Sequence, residues 1–110
     1  MKPAPFAYAA PETLAEAQGL LADEPDAKPV AGAMSLGPML NLRLARPSRL
    51  VDLATLPELR AAERLEGGVR FGAAVTHAEI EDGEAPDPTG GWMRDAAANI
   101  AHRAVRNRGT

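Results

Sequence analysis

The residues in this chain best placed to do chemistry are not acids, bases or nucleophiles but a run of small residues, Ala31-Gly32-Ala33-Met34-Ser35-Leu36. The run follows a short apolar segment, Val30-Ala31, and leads into helical spacing at Leu36, Met39, Leu40 and Leu44. A small-residue turn feeding a helix start presents several backbone N–H groups in one direction, and such a nest binds anions, phosphate being the usual one. Gly32 and Ala33 leave room for a backbone or a ligand to come close. Ser35 has the side chain of an N-cap, and Pro38 is tolerated in a first turn. Read alone, the stretch fits an ordinary strand–turn–helix connection better than a phosphate site, because no complete Gly-rich fingerprint is present.

A second group of interest is the basic tail. Arg103, Arg106 and Arg108, with Asn107 and Gly109, close a chain whose net charge is −3. Two readings stand side by side: cations solvating the end of a helix, or a second anion contact. His77 and His102 are the only histidines, and His77, beside a helix cap, reads as structural or solvated. No HExxH, GxSxG or Walker pattern occurs, and Asp52, Glu58, Glu63 and Glu79 are scattered without an evident acid–base pair. Met34, Met39 and Met93 read as core fillers.

The elements that must position these groups follow from the periodicity. Phe6-Ala7-Tyr8 predicts a short strand. Residues 12–22 predict a helix, opened by a capping-box pattern at Thr13–Glu16. Lys28–Ala31 and Arg49–Leu53 predict strands, the second well buried, and Leu56–Leu59 one helical turn. Residues 61–73 predict a β-hairpin turning at Glu66-Gly67-Gly68, the glycine pair supplying positive φ. Thr76 predicts a capped helix with Glu79 in the capping-box position. Residues 82–91, rich in Gly, Pro and acids, predict a solvated, mobile loop, and residues 92–101 a last helix with Met93, Ala96, Ala97 and Ile100 on its apolar face. At 110 residues this is one small domain of α+β class. Acidic balance (pI near 5.3) argues against nucleic acid or an anionic membrane as partner, and no apolar run is long enough to span a bilayer. The absence of cysteine excludes disulfides and thiolate ligands within the chain and fits a cytoplasmic setting.

Taken in order, Ala31–Leu36, Met39-Leu40-Asn41-Leu42-Arg43-Leu44-Ala45-Arg46-Pro47, Leu50-Val51-Asp52-Leu53, Gly72-Ala73-Ala74-Val75-Thr76-His77-Ala78-Glu79-Ile80 and Val105-Arg106-Asn107-Arg108-Gly109-Thr110 resemble the N-terminal part of the FAD-binding medium subunit of molybdenum hydroxylases, of the xanthine dehydrogenase and carbon monoxide dehydrogenase type. The resemblance implies a PCMH-like fold of two α+β subdomains holding FAD between them. It also implies partners: a large molybdopterin subunit, and a small subunit carrying two [2Fe–2S] clusters from which electrons reach the flavin and then an external acceptor. The family's first flavin motif, Ala-Gly-Gly-x-Ser-Leu, maps onto Ala31, Gly32, Ala33, Met34, Ser35 and Leu36. Thr76 falls in a segment that lines the flavin, and Arg106, Asn107 and Thr110 approach a second loop. Two departures carry expectations. Ala33 replaces a glycine, and alanine there is strained if φ is positive. The sequence stops at Thr110, so residues 1–110 are expected to be an N-terminal subdomain, a fragment or half-length relative that binds FAD weakly or not at all alone. A cofactor-free interaction module of the same fold, or a domain taking another phosphate ligand, are the alternatives.

Overall fold

Strand β3 (Arg49–Asp52) sits at the centre of the sheet because adjacent side chains of a strand face opposite ways and both of its middle residues are apolar. Leu50 and Val51 are 5% and 0% exposed, one on each face. The computed structural model describes Met1–Thr110 and places β1 (Ala7–Ala9) and β2 (Lys28–Val30) in parallel on either side of β3, in the order β1-β3-β2. Helix α1 (Leu14–Asp23) covers one face, where Ala17 packs with Val51 and Leu56. Helix α2 (Leu36–Asn41) covers the other, where Leu40 and Ala45 pack with Leu50. A short helix, α3 (Pro57–Arg60), leads to an antiparallel hairpin of β4 (Ala62–Leu65) and β5 (Gly68–Phe71). Three helices complete the chain: α4 (His77–Glu81), α5 (Trp92–Ala98) and α6 (Arg103–Arg106). The expected α+β class, with short parallel strands, helices and a hairpin, is what the chain adopts.

Local chemistry sets several boundaries as the sequence predicts. Thr13 accepts from the Glu16 N–H at 3.1 Å. At α4 the capping box closes in both directions: Thr76 Oγ1 accepts from the Glu79 N–H, and Glu79 Oε2 accepts from the Thr76 N–H at 2.6 Å. Other expectations need correction. The hairpin turns within the expected Glu66–Gly68 stretch, on Glu66 and Gly67. Of the glycine pair, though, only Gly67 has positive φ (81°), and Gly68 is already paired with Leu65. The 82–91 segment is not simply solvated. Ala85 is buried, and Asp87 accepts from the Thr89 hydroxyl, which does most to hold its carboxyl below the usual range, and from the N–H groups of Thr89 and Gly91. Helix α5 ends at Ala98 rather than 101: Asn99 already leaves helical geometry (φ −93°, ψ 1°), and Ala101 follows at φ 47°. Residues 103–106, read as tail, form a turn of helix.

The chain forms a slab only 17 Å thick. A globular chain of this mass is expected to expose about 5,800 Å², whereas this one exposes 6935 Å². The surplus includes apolar side chains that helical spacing would assign to a core. Leu44 is 72% exposed and Met39 43%, because α2 stops at Asn41 and Arg43 turns the chain away at φ 56°. No helix is long and apolar enough to cross a membrane.

Candidate functional site

The small-residue loop leaves the sheet at Val30, whose carbonyl accepts from the Leu53 N–H at 2.7 Å. Beyond it, none of the backbone N–H groups of residues 31–36 donates to an acceptor within the protein. Met34 and Ser35 are exposed and the other four residues half-buried, so these donors are open to solvent or to a ligand. Ala33 turns the loop at φ 62°, and its carbonyl accepts from the Gly37 N–H at 2.7 Å to open α2. That helix spans only six residues, so the donors belong to the loop rather than to a helix dipole. Ser35 does not act as the expected cap. Its backbone is already helical (φ −101°, ψ −47°), whereas a capping side chain needs an extended residue to reach forward, and no side-chain cap bond forms. Its hydroxyl is left at the loop surface.

The C-terminal residues run against this loop as a strap. A Cβ built on Gly32 would lie 2.1 Å from the Arg108 carbonyl oxygen and 3.1 Å from Gly109 Cα. The glycine therefore admits a backbone, where the sequence left open whether a backbone or a ligand needed the room. The His77 N–H donates to the Gly109 carbonyl at 2.8 Å, and the strap crosses both the loop and the start of α4.

What holds the strap is a set of ion pairs invisible to sequence spacing. Arg106 donates from Nε and Nη2 to the Glu81 carboxylate at 2.7 and 3.1 Å, and from Nη1 to the carbonyls of Ile100 and Ala101 at 3.0 and 2.9 Å. Arg103 reaches Asp82 Oδ1 at 2.6 Å and Glu81 Oε2 at 3.0 Å, and Asn107 Oδ1 accepts from its Nε at 2.8 Å. Arg106 thus lines no cleft and is not free for a ligand. Its side chain, only 11% exposed, is placed as a clamp between the strap and the end of α4. Neither reading of the tail, solvated end or anion contact, describes Arg103 and Arg106.

Arg106 holds the Glu81 carboxyl, and Arg103 the Asp82 carboxyl, below the usual range. Both groups bind protons more weakly folded than unfolded, so their contribution is complete above the unfolded values and is lost as pH falls through the depressed folded ones. Acidification below the ordinary glutamate value of 4.5 is therefore expected to release the strap before the sheet. Hydrogen exchange of residues 99–110 against pH measures it. In the double variant Glu81→Gln, Asp82→Asn this acid-dependent step should disappear, and its persistence would assign the release to other groups.

Between loop and strap lies a cleft of about 470 Å³ lined by residues 29–36 together with His77, Ile100, Val105, Gly109 and Thr110. No carboxylate lines it. Behind Gly32, a smaller hollow of about 110 Å³ gathers Thr76, Asn107, Arg108 and Thr110 with Arg60. The structure thus brings Ala31, Gly32, Ala33, Met34, Ser35, Leu36 and Thr110 to one cleft, and Thr76, Asn107 and Thr110 to its neighbour. The Thr76 hydroxyl is held by the capping box and the Asn107 oxygen by Arg103. Two further residues stand here: Arg108, which the sequence offers within the basic tail as an anion contact, and His77, which it reads as structural or solvated. Arg108 forms no ion pair and reaches Gly32 O at 3.4 Å. His77 has an Nδ1 that is buried with no hydrogen-bond partner. Position in the Val105–Thr110 stretch was the available signal for Arg108; for His77 the sequence held none.

The arrangement fits a dinucleotide pyrophosphate. Free N–H donors suit its charge, the lining has no repelling carboxylate, and the apolar walls of Val30, Leu36, Ile100 and Val105 suit an organic body. Ala33 keeps the turn despite its φ of 62°. A left-handed alanine costs ~1–2 kcal/mol, and glycine returns ~0.4–1 kcal/mol as unfolded-chain entropy. Ala33→Gly is therefore expected to raise the melting temperature by a few degrees with the loop unchanged. A lower melting temperature would show the turn to be unstrained.

A family model described as "FAD binding domain in molybdopterin dehydrogenase" matches residues 4–110. The chain is similar to the nicotine 6-hydroxylase medium subunit of Paenarthrobacter nicotinovorans, with 41% identity over all of this chain and 39% of that one. It superposes on quinoline 2-oxidoreductase from Pseudomonas putida 86 with TM-score 0.90 and 43% identity, and on carbon monoxide dehydrogenase from Hydrogenophaga pseudoflava with 0.89 and 37%. Each of these likenesses covers the whole of this chain and 39% of the other. The chain spans about two fifths of the length of the relatives it matches.

Proposed function

The chain belongs to the family of FAD-binding domains of molybdopterin dehydrogenases, and from that premise we propose that residues 1–110 form the N-terminal subdomain of a medium subunit, holding the FAD pyrophosphate on the free N–H groups of residues 31–36. The observation that carries this reading is that row of unpaired donors on residues that line a cleft without carboxylates. In the proposed assembly the partners are a large molybdopterin subunit and a small [2Fe–2S] subunit, in the cytoplasm, where thiolate-ligated clusters persist. Held on residues 31–36, FAD would supply electron transfer between the [2Fe–2S] clusters and an external acceptor.

The chain's own residues do the binding work. Gly32 lets the strap close over the loop, Ala33 turns the donors toward the cleft, and Met34, Ser35 and Leu36 continue the row. Ile100 and Val105 shield one side from water, and Thr110 stands where loop and strap meet. Thr76 and Asn107 act by fixing the backbone of α4 and the strap rather than by contact. Arg108, unpaired beside the loop, adds positive charge near the pyrophosphate.

Titration with FAD, AMP and inorganic pyrophosphate tests the reading, alongside the flavin content of the assembled complex. FAD is expected to bind more tightly than either fragment, and the complex to carry flavin. Equal affinity for AMP would point to a different phosphate ligand. A complex that assembles without flavin would make the chain an interaction module.

A further inference from the structure

The unpartnered nitrogen of His77 has a consequence for its other nitrogen. The ring lies under the strap: a Cβ built on Gly109 would be 3.2 Å from Nδ1 and 3.5 Å from Cε1. Nδ1 is sealed and meets no donor or acceptor, yet His77 lines the 470 Å³ cleft, so the edge that reaches the cleft is the one bearing Nε2. A neutral imidazole carries one N–H, and its tautomer follows the partners available. An N–H buried without an acceptor is the costlier orphan, since unmatched donors are rarer in proteins than unmatched acceptors. The proton therefore belongs on Nε2. The backbone fixes the ring there, because the His77 N–H is bonded to the Gly109 carbonyl and Thr76 caps the same turn.

We propose that His77 donates from Nε2 to an anionic oxygen of the ligand in this cleft, as a side-chain donor beside the backbone row. The proposal rests on the FAD reading for the ligand's identity, but not for the tautomer. It also accounts for why a polar ring with an unsatisfied nitrogen stands at a position where Phe or Leu would pack without that cost.

Three measurements on the full chain decide it. Imidazole ¹H–¹⁵N correlation spectra of the ligand-free protein are expected to show the Nε2–H tautomer; the Nδ1–H tautomer overturns the proposal. FAD titration of His77→Phe is expected to show affinity roughly 10- to 100-fold weaker, the range for a lost bond to a charged group. His77→Gln, which can place an amide donor near the Nε2 position, should recover most of it. Ligand-free His77→Phe should melt no lower than the parent, since it removes a buried orphan, whereas a purely structural histidine would show a lower melting temperature and unchanged affinity. If the parent binds pyrophosphate but not FAD, the cofactor reading fails and pyrophosphate becomes the probe, with the same loss expected in His77→Phe. If all variants bind either ligand equally, the histidine proposal fails and the cofactor reading stands.

Discussion

Replacing Gly32 with alanine is expected to unseat the strap and abolish ligand binding. The new methyl would lie 2.1 Å from one backbone oxygen and 2.8 Å from the carbon that bears it. Neither is the end of a flexible side chain, so the backbone itself must move. Overpacking of this kind costs ~1–3 kcal/mol or more, and in a domain of this size ~1 kcal/mol corresponds to about 4–8 °C in melting temperature. A drop on the order of 10 °C, with flavin content near zero, is the expected result. Gly19→Ala is the control: nothing lies within 4 Å of its added methyl, and a mid-helix glycine replaced by alanine should stabilise α1 by ~0.5–1 kcal/mol. If Gly32→Ala melts like the parent and keeps its flavin, the interlock of loop and strap is not what forms the cleft.

Leu56→Ala is expected to have the largest effect on stability alone. Leu56 is 1% exposed and, with Val51 and Ala17, forms one of the two small clusters that sandwich the sheet. Truncating a buried leucine costs ~2–5 kcal/mol. A 110-residue chain has about 5–15 kcal/mol in total, and a thin slab with few buried side chains belongs near the bottom of that range. The variant is expected to be partly unfolded at 37 °C, measured by chemical denaturation and near-ultraviolet circular dichroism. A loss under ~1 kcal/mol would mean that Leu14, Leu20, Leu21, Leu53 and Leu59, which pack around the cluster, collapse into the space.

Most of the elements were legible because local chemistry fixed them. Thr13 and Thr76 announced their helices, and the doubly apolar Leu50-Val51 announced a central strand. Helix lengths were less legible. The run Leu36–Leu44 has helical spacing throughout, but Arg43 leaves the helix at a positive φ that periodicity does not encode. At the site, the loop was legible as a nest of small residues. Its donors are free for a reason visible only in three dimensions, since whether an N–H finds an acceptor depends on what packs beside it. The arginines show the same limit most clearly. Arg103, Arg106 and Arg108 are alike in sequence, yet two are paired to the end of α4 and one is not. Which is which depends on Glu81 and Asp82, more than twenty residues away. His77 was unremarkable in sequence, and only its sealed nitrogen sets it apart.

The meeting of Gly32 with Arg108 also has a kinetic side. The partners are 76 residues apart in the chain, so the cleft exists only after a long loop has closed. Closure entropy must be met before such a contact returns anything. The sheet, whose strands lie within the first half of the chain, can form earlier. The cleft should then be among the last parts to assemble and the first to open, and a ligand that bridges loop and strap would draw the population toward the closed form by mass action. Ligand loading would then be the final folding step of this chain, and its rate should follow the docking of the last dozen residues rather than diffusion of the ligand.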